Sequence, residues 1–503
     1  MADDRRKVGA VTYRTADEDY FAKRGLRRYA GVWSLWALGV AAVISGDFFG
    51  WNFGLAYGFG GLLVATVVVT IMYFGLCFSI AEMSPALPHT GGAYSFSRSA
   101  MGPWGGFTTG VAETIEYVIT PAVIVVGIGS YMSSISDDLF GFTMAQPLWW
   151  LVFYAIFVGL NYIGVEASFR FTVFICVLSL AILAVFFVGA IGNLDFTRYA
   201  IDTQGGWFTE GIPGIFYALP FAIWFYLAIE ELPLAAEESA DPRRDIPRGT
   251  IWGLVTLVVT GFLVLFLNAG IAPGSAELAE SGEPLLAGLT TIFGEGTSTS
   301  LLGLVAVAGL VASFHTIIFA YGRNIFSLSR AGYYPNALSV THGTRNTPHV
   351  ALILGAVVGF IAAYILYEWG SGTVGAALLS MAVFGAVISY FLQCVSFVLL
   401  RRRLPHIERP YRSPVGEWGA IVAAAIAVVS LIALFWNDDY RPGVYGVAVF
   451  YLVALAYFAV AGRHRLVLSP EEEFAMSHGE RRLEGGLEAQ LDDVPAAQPG
   501  AQT

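Results

Sequence analysis

Residues 42–50 read Ala42-Val43-Ile44-Ser45-Gly46-Asp47-Phe48-Phe49-Gly50. A serine, two glycines and a carboxylate interrupt the first long apolar run of the chain. Glycine weakens a helix, and aspartate offers the backbone competing hydrogen bonds. Together, inside an apolar segment, they mark a break. What such a break means depends on what surrounds the segment.

Composition supplies the surroundings. Of 503 residues, 56% are hydrophobic and 13% charged, with a mean hydropathy of +0.65. Soluble domains carry about 25% charged residues. A membrane-crossing helix needs about 20 mostly apolar residues. Twelve such runs occur, at 33–56, 58–83, 105–132, 147–165, 171–192, 212–235, 250–271, 299–320, 349–368, 372–400, 416–436 and 443–462. Lipid offers the backbone no hydrogen bonds, so these runs are helices. The fold class is an all-α integral membrane protein with 12 transmembrane helices. Its natural partner is the lipid bilayer, with no nucleic-acid signature; oligomeric state is not legible.

The 27 arginines and lysines set the orientation. With the N-terminus placed in the cytoplasm, all but Arg198 and Arg441 fall on the cytoplasmic side. That asymmetry is the positive-inside pattern. It predicts a multi-pass protein of the cytoplasmic (inner) membrane with both termini cytoplasmic. Three segments follow: a cytoplasmic N-terminal segment over 1–32, a transmembrane transporter domain over 33–465, and an acidic cytoplasmic tail over 466–503. The tail has no sustained apolar face and reads as mostly disordered. Much of the net charge of −11 sits there, so it says little about partners.

Catalytic chemistry has little support. Cys77, Cys176 and Cys394 all lie in apolar runs, as small buried hydrophobes, without zinc spacing or a disulfide framework. No HExxH, P-loop or nucleophile triad is present, so neither an enzyme nor a cofactor is expected; a coupling proton or sodium ion is the exception.

The break therefore sits at membrane depth, where irregular backbone is tolerated only when it lines a cavity or packs in protein. A charge there costs at least about 2.5–3.5 kcal/mol and should face a cavity or a partner. Asp47 reads either as a cap for a second half-helix over 48–56 or as the counter-charge of a cationic substrate or ion. Five helices later, Ala228-Ile229-Glu230-Glu231-Leu232-Pro233 interrupts span 6. Paired interruptions in corresponding helices point to an inverted-repeat transporter with a midplane site. In span 3, Glu113 and Glu116 share one helix face, as ligands or as protonated structural groups. Trp224 stands six residues before Glu230, as packing or as a face for a cation. His315 in span 8 reads as functional or as a satisfied packing residue.

Three further segments carry a family resemblance. Ala81-Glu82-Met83-Ser84-Pro85-Ala86-Leu87-Pro88-His89-Thr90-Gly91-Gly92-Ala93-Tyr94 is similar to the "AE…P…GGAY" loop of the amino acid–polyamine–organocation transporters. Residues Glu237-Glu238-Ser239-Ala240-Asp241-Pro242-Arg243-Arg244-Asp245-Ile246-Pro247-Arg248 resemble their "EE…NP.R.IPR" run. Tyr321-Gly322-Arg323 through Arg330-Ala331-Gly332-Tyr333-Tyr334-Pro335 resembles the end of their helix 8. The resemblance covers about residues 30–465 and implies a five-plus-five inverted repeat with substrate held between broken helices 1 and 6. Members that carry amino acids read "G-S/A-G" at the first break, where backbone amides take the substrate carboxylate. Here Asp47 stands at the third position. A carboxylate facing a carboxylate costs several kcal/mol, which selects against amino acids and for amines.

Residues 45–52, 112–117 and 120–127 look like the ethanolamine permease branch of that family, and Trp224 and Glu230 match helix-6 positions of its arginine/agmatine exchangers. The resemblance implies a secondary transporter importing ethanolamine by alternating access, or else a broader amino acid or polyamine permease; a non-transporting amine sensor is a third reading. The expected substrate site is Ser45, Gly46, Asp47, Phe48, Glu113, Glu116, Tyr117, Trp224, Leu227 and Glu230, around a small-molecule amine. The lysine that proton-coupled members carry in helix 5 falls near Ser179, and that span has no lysine. Ion coupling is assigned to Ser179, Ser313, His315 and Thr316.

Overall fold

The structure is a computed structural model that describes residues 5–8, 10–14, 20, 23–24, 26, 28–87, 91–294, 297–343, 345–369, 374–438, 441–469, 472–473 and 475. Pro88, His89 and Thr90 of the first quoted loop, and the tail beyond 475, lie outside the described residues.

Twelve helices form the body: α1 (Val32–Val43), α2 (Phe59–Ala86), α3 (Gly92–Phe140), α4 (Gln146–Ile163), α5 (Val165–Ile191), α6 (Gly211–Trp224), α7 (Pro242–Ala269), α8 (Thr297–Arg330), α9 (His349–Trp369), α10 (Val374–Arg403), α11 (Gly416–Ala433) and α12 (Arg441–Val460). Among the described residues, eleven helical segments are long and apolar enough to cross a membrane, and the bent α1 with its continuation makes twelve. Burial separates inner helices from outer ones. In the most apolar stretch of α3, α8 and the α6 segment, 72% of residues are buried, against 22% in α4 and α12. The inner helices thus surround the middle of the bundle, and the outer ones face lipid.

The two expected breaks are present, but the first is displaced. Ser45–Phe48 continues α1 as a short helical turn, held by Asp47 N–H to the Ile44 carbonyl (3.0 Å) and Phe49 N–H to Ser45 (2.9 Å). The chain then turns extended at Phe49 and left-handed at Gly50 (φ 96°), and restarts as a tight helix over Trp51–Tyr57, bent by 43°. Glycine is favoured at Gly50 because that φ suits no side chain well. Asp47 therefore caps nothing. Asn52 does the local capping instead, its Oδ1 accepting from Gly50 N–H at 3.0 Å. In the second break, α6 stops at Trp224, Ala228 takes φ 85°, and a 3₁₀ helix covers Ile229–Glu238. Breaks in helices five apart are what the inverted repeat requires.

Charges close one end of the bundle, and they come from the quoted motifs. Glu238 pairs with Arg323 and Glu237 with Arg330, at 2.8 and 2.6 Å. Glu82 takes Arg401 and Arg409, at 2.7 and 3.2 Å.

The termini meet at this end. Strands β1 (Arg5–Val8) and β2 (Val11–Arg14) form a hairpin, and β2 pairs in parallel with β3 (Leu466–Val467), Tyr13 opposite Leu466. Both ends of the chain therefore lie on one face, which requires an even number of crossings and so selects twelve. Leu466 and Val467, the first residues of the acidic tail, are thereby strand residues. Glu472 is fully buried and ion-paired to Arg98 at 2.6 Å. It accepts hydrogen bonds from Tyr13 (2.8 Å), Tyr333 (2.9 Å) and Tyr94 (3.2 Å). Burial, and after it the Glu472 carboxylate, push the Tyr13 phenol above its ordinary range, so Tyr13 stays a donor. An acidic composition alone points to disorder; one buried arginine gives this carboxylate a partner.

Glu472→Ala leaves Arg98 buried without its counter-charge. It should lower the stability of the detergent-solubilised protein by about 3–5 kcal/mol. An unchanged thermal midpoint would show that the tail contact does not hold the fold.

Candidate functional site

The break in α1 is held by neighbouring helices. Ser313 of α8 accepts from Ser45 N–H (2.9 Å) and donates to the Ala41 carbonyl (2.7 Å). Tyr131 of α3 donates to the Phe48 carbonyl at 3.3 Å, and the Trp224 indole N–H to the Phe49 carbonyl at 2.9 Å. A Cβ on Gly46 would stand 2.5 Å from the Trp224 carbonyl, so only glycine lets the two broken helices approach this closely. The Phe48 ring lies against Gly309 of α8. Leu227 is buried within the second break.

Asp47 is 1% exposed, and neither carboxylate oxygen has a hydrogen-bond partner among the described residues. It faces α7. A Cβ on Gly261 would lie 3.6 Å from Asp47 Oδ1. The neighbouring Thr260 hydroxyl donates instead to the Leu257 carbonyl. Burying an ionised carboxylate without partners is prohibitive, so the group requires a proton or a cation.

The glutamates form a second group. Tyr117 O–H lies 3.4 Å from both Glu113 Oε1 and Glu230 Oε1. Tyr390 of α10 donates to Glu116 at 3.1 Å and touches Tyr73 of α2 at 2.9 Å. Tyr117 thus links Glu113 to Glu230, and Tyr390 links Glu116 to Tyr73. One oxygen each of Glu113, Glu116 and Glu230, and both of Glu231, remain unpartnered among the described residues.

The structure thus brings Glu113, Glu116, Tyr117 and Glu230 together, and separately joins Ser45, Gly46, Phe48 and Trp224 around the first break. Asp47 lies against Gly261 of α7. Of the residues assigned to ion coupling, Ser313 is hydrogen-bonded to α1. His315 packs outward, within hydrogen-bond distance of Asn161 (3.1 Å) and Ser168 (3.0 Å) on α4 and α5. Ser179 and Thr316 bond back to their own helices, at Ile175 and Ala312.

Residues 35–464 match the family model described as amino acid permease. The chain belongs to the amino acid permease family. The permease is 27% identical to an uncharacterised transporter of Rhizobium meliloti (strain 1021), over 86% of this chain and 92% of the other. It is 22% identical to the branched-chain amino acid permease BcaP of Bacillus subtilis (strain 168), over 91% and 98%. A D-serine/D-alanine/glycine transporter of Escherichia coli (strain K12) is 22% identical over 85% and 92%. Family and relatives are transporters, not enzymes.

Tyr73, Tyr390, Glu231 and Thr260 complete the surroundings of the permease site and are not among the expected residues. The tyrosines leave a signal in the sequence: a phenol mid-span must find a polar partner when buried.

Trp224→Phe keeps a ring but removes the N–H that serves the Phe49 carbonyl. Leaving that acceptor unsatisfied should destabilise the permease by about 1–3 kcal/mol. Chemical unfolding in detergent measures it, and no loss would reduce the indole to a packing group.

Proposed function

We propose that the permease imports ethanolamine, or a close short-chain amino alcohol, across the cytoplasmic membrane by alternating access. One observation carries this reading: Asp47, buried with both oxygens unpartnered among the described residues, at the position where the family resemblance puts the glycine of an amino-acid carboxylate site. An ammonium supplies the charge and the donors that Asp47 lacks. A substrate carboxylate would face it with like charge. The names of the two amino acid transporters among the relatives favour the alternative, a broader amino acid permease. Both termini lie in the cytoplasm, by the arginine asymmetry.

The buried glutamates, which meet tyrosine hydroxyls and no cation among the described residues, support proton coupling at this group. Tyr117 joins Glu113 of α3 to Glu230 of the broken α6 segment, so a proton among them is held only while those segments stay together. Separation in one step of the transport cycle would release it.

Purified permease in proteoliposomes tests the substrate. Labelled ethanolamine should accumulate, and alanine or arginine should compete poorly; equal competition would favour the amino acid permease. Asp47→Asn should weaken ethanolamine binding by about 30-fold or more in calorimetry, with folding retained. Affinity equal to the parent would remove the counter-charge role.

Glu116→Gln tests the proton. Uptake by this variant should no longer respond to an imposed pH gradient, while ethanolamine binding persists. A parent permease driven by sodium, or a variant with the parent's pH-gradient response, would overturn proton coupling at the glutamate group.

A further inference from the structure

The sheet that joins the termini also walls a cavity of about 540 Å³, distinct from both groups of buried carboxylates. Residues 12–14 of β2 form one side, the loop after α8 another, and the end of α12 with residues 464–466 the third. Arg14, His464 and Arg465 line it, with hydrogen-bonding groups from Tyr334, Asn336 and Tyr457; no carboxylate among the described residues does. Neither Arg14 nor Arg465 is ion-paired with a described residue, whereas Arg323, Arg330 and Arg401 are bound to glutamates.

The cavity adjoins the lipid-facing surface. Tyr457, one of its walls, is 41% exposed, and Val460 one turn on is 77% exposed. A tyrosine at the end of a transmembrane helix sits at headgroup depth. Basic pockets at that depth suit anionic lipid headgroups. Guanidinium groups match phosphate oxygens in pairs.

We propose that this cavity binds the phosphate headgroup of an anionic phospholipid, through Arg14, Arg465 and His464, with the acyl chains along α12. The site exists only while β2 and β3 are paired. Gly332 enforces that placement: its φ is +82°, and a Cβ there would stand 2.5 Å from the Arg465 carbonyl.

Native mass spectrometry of the full-length permease, titrated with defined lipids in detergent, tests the site. Phosphatidylglycerol should bind at one copy per chain, and phosphatidylcholine should not compete. R14Q/R465Q should bind phosphatidylglycerol about tenfold or more weakly. R402Q, which removes an exposed guanidinium outside the cavity, should bind as the parent does. Equal binding by parent and double variant would overturn the site, as would equal retention of the two lipids. Glycerol 1-phosphate binding as tightly as the lipid would overturn the lipid as ligand and assign the cavity to a soluble phosphate. Thermal midpoints of both variants, expected to match the parent without lipid, separate lost binding from lost folding.

Discussion

A backbone that leaves the helix in the middle of a bilayer must find its hydrogen bonds in protein. That constraint organises this molecule. At the first break, carbonyls and amides that α1 no longer satisfies are taken by Ser313, Tyr131, Trp224 and Asn52. Three of these come from other helices: α8, α3 and the broken α6. The break is therefore a junction of four helices, and it cannot shift without exchanging bonds on each. A transporter that rocks one group of helices against another needs a junction of this kind, where small displacements are felt by several elements together.

Buried carboxylates divide into two populations. At the end where the termini meet, Glu82, Glu237, Glu238 and Glu472 each have a guanidinium. Around the breaks, Asp47, Glu113, Glu116 and Glu230 have hydroxyls or no partner among the described residues. The arginines neutralise charge that holds elements together. The central group lacks such counter-charges among the described residues. One residue type thus stands in two electrostatic settings, and only the one at the end of the bundle is tied to guanidinium groups.

Much of this architecture is legible in the order of the amino acids. Apolar runs mark the helices because length and composition are local properties, and Ser45-Gly46-Asp47 announces the first break. Its exact residue is not legible, because Ser45 to Phe48 still make one helical turn and the decision falls on the φ of Gly50. Helix geometry alone places Glu113 and Glu116 on one face. Their meeting with Glu230, Tyr390 and Tyr73 stays hidden, since it depends on how α2, α3, α6 and α10 pack. The surroundings of His315 stay hidden for the same reason: span periodicity does not say that its ring meets Asn161 and Ser168. The ion pair at Glu472 is hidden differently, because composition averages over a segment and a single pair does not show in the average.

The pairing of β2 with β3 has a consequence in time. Tyr13 and Leu466 are partners separated by about 450 residues, and at about 5–20 residues per second a ribosome needs roughly 20–90 s to make what lies between. For that interval the hairpin is finished and its outer edge has no strand beside it. Twelve helices must enter the membrane before the chain can close on itself. The last few residues to fold are thus fastened to some of the first to be made, and completion of the sheet reports that every crossing between them has been inserted.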